Sequence, residues 1–236
     1  ADTILASQRL AEVFQRYDEY ETVKDRVKVI NKVPDTIAFI REWLSQPAAR
    51  PLVLLASGDP LFFGIGRRVI EEFGGERVEI LPDLSSVQEA FARINVAWDD
   101  AVFISLHGGP DIAKRRALPY EVYDIPRLLE QTGKMGILTD RENNPGVIAA
   151  VLHSAIRIPQ SEIVMYVCER LGYPDEKVTS GTPAEIAAAS YSDPNVVIVM
   201  KDRGKVSEVG RVERSETRQN SSSCFGLRED EILHER

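Results

Sequence analysis

Leu52-Val53-Leu54-Leu55-Ala56-Ser57-Gly58-Asp59-Pro60 joins a four-residue apolar run to a glycine, an acid and a proline. An apolar run that short, closed by turn residues, reads as a buried strand ending in a tight loop. A helix follows, so the unit is strand, loop, helix. Working outward, Ile4-Leu5-Ala6 reads as a strand feeding a helix around Leu10, Val13 and Phe14. Val27-Lys28-Val29-Ile30 reads as another, before a helix through Ile37, Phe39, Ile40 and Trp43. Val78-Glu79-Ile80-Leu81 and Ala101 to Leu106 are further strand candidates, the first followed by a helix. This alternation is the pattern of an α/β fold on mostly parallel strands.

After Leu106 the pattern lapses into His107-Gly108-Gly109-Pro110, a linker at which a domain boundary falls. Beyond it the spacing predicts a helix near Arg127 to Gln131, a strand at Met135 to Thr139 and a helix opening at Pro145. Strands at Ile163 to Val167 and Val196 to Met200 flank a helix announced by the capping-box spacing of Thr182 and Glu185. From Gly204 the residues turn polar and mixed in charge, the composition of a tail or linker. The expected division is 1–108, 109–203 and a tail 204–236.

A net charge of −8 over 236 residues argues against nucleic acid as the main partner, which would need a basic face. No window approaches the roughly 18 apolar residues of a membrane span, and no signal pattern opens the chain, so the cytoplasm is the expected compartment. Cys168 and Cys224 lack a C-x-x-C or Cys/His cluster, and the three histidines are scattered, so neither a disulfide nor a bound metal is expected. Lys114, Arg115 and Arg116 form a basic cluster able to meet an anionic small molecule, although solvated surface charge is the better account of the cluster taken alone.

Open α/β sheets bind ligands where parallel strands end, which makes Ser57 to Gly64 the leading site. Gly58 allows close backbone approach and Asp59 can accept from hydroxyls or an amine; an ordinary Gly-Asp-Pro turn explains the same residues. Pro82-Asp83-Leu84-Ser85-Ser86 ends the next strand and would share that edge, although a Ser86–Glu89 capping box is the plainer reading. His107 ends the following strand, as a general acid or base or as a simple strand-end residue. Asn144 either closes the crevice from the second half or caps the helix at Pro145.

Ala56 to Gly66, Pro82 to Gln88, Trp98 to Ala101 and Ser105-Leu106-His107-Gly108, in that order and at those intervals, resemble the C5-methylating branch of the tetrapyrrole methylases. The resemblance implies a two-domain α/β fold, usually a homodimer, with S-adenosylmethionine in the cleft between the domains. It places Ser57, Gly58, Asp59 and Phe62 in the first cofactor loop, Ser85 and Ser86 in the second, Leu106 in the interdomain wall and Asn144 across the cleft. It implies methyl transfer to C5 of precorrin-6Y or of a cobalt-precorrin-7 precursor in cobalamin synthesis, with His107 as base and Lys114 to Arg116 pairing with ring carboxylates. Any cobalt would arrive within the substrate.

Other regiospecificities of the family, and a noncatalytic dimerisation or channelling domain, are the alternatives. Family members open with a strand and a Gly-x-Gly-Pro-Gly loop that do not appear after Ala1, so a truncated N-terminal domain is expected. Gly109 stands where the family linker commonly has arginine. Cys224 to Glu231 resembles the connector to a C15-methylating, decarboxylating domain, a possible fused or separate partner.

Overall fold

The structure is a computed structural model that describes residues 1–47, 50–107, 120–155, 159 and 162–202. Gly108 to Pro119, with Lys114, Arg115 and Arg116, and everything from 203 onward, Cys224 included, lie outside the described residues.

A three-stranded parallel sheet has the order β2-β1-β3, built from β1 (Thr3–Ala6), β2 (Val27–Val29) and β3 (Leu52–Leu54). Each strand hands on to a helix: α1 (Gln8–Phe14), α3 (Val33–Leu44) and α4 (Gly66–Phe73), with the single turn α2 (Tyr20–Val23) before β2. Crossover helices are what parallel neighbours require. Val78 to Leu81 departs from expectation. Val78 is extended, but no residue of the run joins a sheet, and Leu81 is 75% exposed. Apolar residues alone do not make a strand; a partner ladder must accept their backbone groups, and β3 bonds only β1.

The second sheet has the order β4-β5-β8-β6-β7, from β4 (Val102–Ser105), β5 (Lys134–Leu138), β6 (Ile163–Glu169), β7 (Lys177–Gly181) and β8 (Asn195–Lys201). Only β4 and β5 run parallel; β5–β8, β6–β8 and β6–β7 are antiparallel. The expectation of mostly parallel strands therefore fails here. One of these pairs follows from the short turn from Arg170 to Glu176, which folds β7 back on β6 as a hairpin without a crossover; the other two follow from β8 running against both β5 and β6. The edge strand β7 was not anticipated: its Lys-Val-Thr-Ser-Gly run carries little apolar signal, and Lys177, Val178 and Ser180 are exposed.

β6 and β8 read as unbroken apolar runs because both faces of the sheet are covered. On one face Ile163, Met165, Val167, Val197 and Val199 pack with Ile125 and Leu129 of α6 (Ile125–Thr132), Ile148 and Leu152 of α7 (Pro145–Ala155), and Ile186 of α8 (Pro183–Ala187). On the other, Tyr166, Cys168, Val196, Ile198 and Met200 meet Val87, Ala90, Phe91 and Ile94 of α5 and the turn after it, α5 being Ser86–Arg93. Phe62, from the loop after β3, packs on this second cluster. Gly136 makes room for it: a Cβ there would stand 2.9 Å from both Phe103 and Val87. A helix from the first half of the chain thus covers a sheet built mainly by the second, and Ala1–Lys205 forms one compact unit.

Candidate functional site

At the C-terminal end of β3 the chain turns through Gly58 with φ +63°, a left-handed conformation that glycine adopts at no steric cost. The position is also crowded. A Cβ on Gly58 would lie 3.0 Å from the carbonyl oxygen of Leu84 and 3.2 Å from Cα of Ser85. The loop after β3 and the loop before α5 therefore touch through backbone, and only glycine lets them. The two loops that the sequence reading places on one edge do meet.

Asp59 accepts from the backbone N–H of Leu61 through Oδ1 at 2.8 Å, which pins the turn and leaves its second oxygen without a partner among the described residues. Ser57 is exposed beside it. Phe62 turns the other way, edge-on to Phe103 at 5.6 Å, and backs the loop with apolar bulk.

The two serines divide their work differently from the sequence reading. Ser85, not Ser86, is the N-cap of α5: its Oγ accepts from Gln88 N at 3.2 Å while Gln88 Oε1 accepts from Ser85 N at 2.9 Å. The capping box is Ser85–Gln88 because Ser85 keeps an extended backbone and Ser86 is already helical. Ser86, in the first turn, presents an exposed hydroxyl and stands beside the N–H groups a helix start leaves unpaired.

The ends of β4 and β5 bring up the remaining residues. Leu106 is buried, its side chain in the core and its N–H bonded to Leu138 O at 2.8 Å. Its own carbonyl accepts from Asn143 Nδ2 at 3.4 Å. Asn143, which Asp140 holds in place, is thus the residue that ties the second-half loop to the linker. Asn144 caps α7, accepting from Val147 N at 3.1 Å. His107 is exposed, with Nδ1 3.3 Å from Thr139 O.

Sequence reasoning missed the β6–β7 turn. Arg93 of α5 grips Glu176 through Nε and Nη2 at 2.5 and 3.2 Å, and that hydrogen bond holds the guanidinium pKa above its ordinary value. The anchored turn carries Tyr173, whose hydroxyl meets Arg9, and Arg9 in turn meets Ser57 Oγ. No sequence spacing signals this meeting, since 164 positions separate Arg9 from Tyr173.

A cavity of about 330 Å³, lined by Asp2, Lys28, Phe39 and Trp43 among others, sits at the N-terminal ends of β1 and β2. That is the end opposite Ser57 and Gly58, away from the edge where such sheets bind ligands. Among the described residues no group of three or more His, Cys, Asp or Glu side chains is placed to hold a metal, and no helix is long and apolar enough to cross a membrane.

Two sheets flanked by helices, with the loop after β3 meeting the loop before α5 across a glycine, define an α/β protein. The chain belongs to the tetrapyrrole (corrin/porphyrin) methylases, whose family model matches residues 1–187. It is 29% identical over 167 residues to a cobalt-precorrin-7 C(5)-methyltransferase of Salmonella typhimurium, covering 71% of this chain and 74% of that one. It is 27% identical to a decarboxylating precorrin-6Y C(5,15)-methyltransferase of Sinorhizobium, covering 78% of this chain but 45% of that one. Among solved structures it shares its fold with a uroporphyrin-III C-methyl transferase of Thermus thermophilus complexed with S-adenyl homocysteine. The TM-score is 0.60, at 17% identity and 85% coverage of both chains.

Proposed function

We propose that this protein transfers a methyl group from S-adenosylmethionine to C5 of precorrin-6Y or of the cobalt-precorrin-7 precursor, in cobalamin biosynthesis. The observation that carries this reading is the seating of Gly58 on the backbone of Leu84 and Ser85, which joins the loop after β3 to the loop before α5. The methyltransferases to which the chain is similar support the chemistry.

The residues present fit the cofactor. The oxygen of Asp59 that has no partner among the described residues suits hydroxyl or ammonium donors, Ser57 and Ser86 offer exposed hydroxyls, and the glycine admits close approach of a ligand to the chain. Phe62, Ser85, Leu106 and Asn144 shape the walls, by packing, capping and core burial respectively. When bound, S-adenosylmethionine supplies an electrophilic methyl on a sulfonium. The protein's part is to hold the ring carbon in line with that methyl and exclude water, a contribution that reaches about 7–11 kcal/mol in favourable cases.

His107 is the base in this reading. With Nδ1–H donated to Thr139 O, Nε2 keeps its lone pair and can take the proton the ring loses. Lys114, Arg115 and Arg116 are assigned to the ring carboxylates by charge alone. The same reading carries with it a homodimer in the cytoplasm and a C15-methylating domain as fused or separate partner. It also keeps the division into 1–108, 109–203 and 204–236, which follows the linker rather than the sheets, since β4 pairs with β5.

Isothermal titration of S-adenosylhomocysteine into the parent chain and into Asp59→Ala tests the cofactor site. Saturable binding that the variant loses is the expected result; a folded parent that binds nothing contradicts the reading.

A further inference from the structure

The tetrapyrrole reading asks a chain of net charge −8 to hold a ring bearing many carboxylates, so cations near the crevice must be available rather than spent. Most are spent. Arg67 and Arg68 pair with Glu71 and Glu72, Arg93 with Glu176, and Arg170 with Asp175 at 2.6 Å. Arg9 is different. It donates to Ser57 Oγ at 3.2 Å and to the Tyr173 hydroxyl at 3.5 Å, and among the described residues no carboxylate lies within ion-pair distance of it.

The setting is built from three parts of the chain. α1 begins directly after β1, with Ser7 as its N-cap, so Arg9 stands at the C-terminal end of the central strand. Ser57 follows β3 at the same edge. Tyr173 comes from the turn of the other sheet that Arg93 and Glu176 clamp to α5, and the Arg170 guanidinium lies 4.6 Å from the Tyr173 ring centre. Two neutral hydroxyls orient the Arg9 fork without cancelling its charge, and of five N–H donors they use two. A planar, oriented, uncompensated guanidinium is suited to bidentate capture of a carboxylate.

We infer that Arg9, held between Ser57 and Tyr173, binds a peripheral carboxylate of the tetrapyrrole substrate and sets its orientation over the cofactor loop. This rests on the tetrapyrrole methylase reading above. The ring's acetate and propionate arms are long enough to place a carboxylate at the rim while the reacting carbon lies deeper, so the contact orients the ring without touching the chemistry. Arg9 is therefore a substrate-binding residue.

The test uses the octacarboxylate uroporphyrin III as probe for the ring and S-adenosylhomocysteine for the cofactor, each titrated at two salt concentrations into the parent, Arg9→Gln and Arg9→Lys. Arg9→Gln keeps hydrogen bonding without charge, and Arg9→Lys keeps charge without the fork. The expected result is a loss of about tenfold or more in uroporphyrin III affinity for Arg9→Gln, with a shallower salt dependence. Arg9→Lys should fall between, and S-adenosylhomocysteine affinity should stay within about twofold in both.

Equal uroporphyrin III affinity in parent and Arg9→Gln overturns the inference, as does a parent that binds S-adenosylhomocysteine but not uroporphyrin III. A parallel loss of both ligands also overturns it, showing Arg9 to be a structural tie or a cofactor ligand. A parent that binds uroporphyrin III through Arg9 but no S-adenosylhomocysteine sinks the methylase reading and leaves the carboxylate site standing.

Discussion

The Thr139 hydroxyl stands 2.7 Å from both the carbonyl and the Oδ1 of Asn195, locking the end of β5 to the start of β8, while the Thr139 carbonyl faces His107 Nδ1. Asn195 continues the chain by donating to Ser192 O at 3.0 Å, and Ser192 N donates to the buried Glu169 at 2.7 Å. Thr139 and Asn195 are both nearly buried, so removing the hydroxyl strands an acceptor where water is scarce.

Thr139→Val should therefore lose about 1–3 kcal/mol of stability, and Thr139→Ser much less. Urea unfolding of the three proteins measures this. A valine variant as stable as the parent means the network is solvated and does not fix the carbonyl facing His107.

Gly58→Ala meets two obstacles, a positive φ and the Leu84 carbonyl at 3.0 Å, whereas Gly172→Ala, at φ +77°, has nothing within 4 Å of its Cβ. Both should pay the left-handed backbone penalty of about 1–2 kcal/mol. Only Gly58→Ala should also push the two loops apart and weaken S-adenosylhomocysteine by about tenfold or more. Calorimetry on both variants separates strain from contact; similar affinities in the two would remove the loop junction from the account.

How much of this was legible in the sequence depends on whether a feature is local. The strand–loop–helix unit at Leu52 to Gly66, the Thr182 cap and the Pro145 helix start follow from neighbours in the chain, and the structure has them. Val78 to Leu81 was misread because a strand needs a partner that no local pattern reveals. The antiparallel β6–β7 pair was missed for a similar reason: a seven-residue turn, left-handed at Arg170 and Gly172, decides it. At the site, Asp59 and Gly58 announce themselves by chemistry, while Arg9 and Tyr173 acquire meaning only when two sheets bring them together.

The serine pair offers a clean contrast. Ser85→Ala removes an N-cap and should cost about 1 kcal/mol in thermal or urea unfolding. Ser86→Ala, exposed in the first turn, should stay within about 0.5 kcal/mol of the parent yet weaken cofactor binding. The reverse pattern would return the cap to Ser86.

Cys168 is buried on β6, and burial first, with the Glu176 carboxylate second, pushes its thiol from 9.0 up to about 12. An acid whose pKa is raised on folding stays protonated while the unfolded chain ionises, so the contribution is neutral below pH 9.0 and stability falls as pH rises from there towards about 12. In a Cys224→Ser background, where Cys168 is the only thiol, a thiol reagent at pH 8 should react at the rate of global unfolding. Fast labelling of the folded protein would contradict the burial that sets this pKa.

The most direct measurement is a turnover with S-adenosylmethionine carrying a carbon-13 methyl group and precorrin-6Y as acceptor, read by NMR of the tetrapyrrole product. The account predicts one new labelled methyl, at C5, formed much more slowly by Asp59→Ala and His107→Ala. A label at another ring carbon, or an unlabelled ring from a folded protein that binds both ligands, would contradict it.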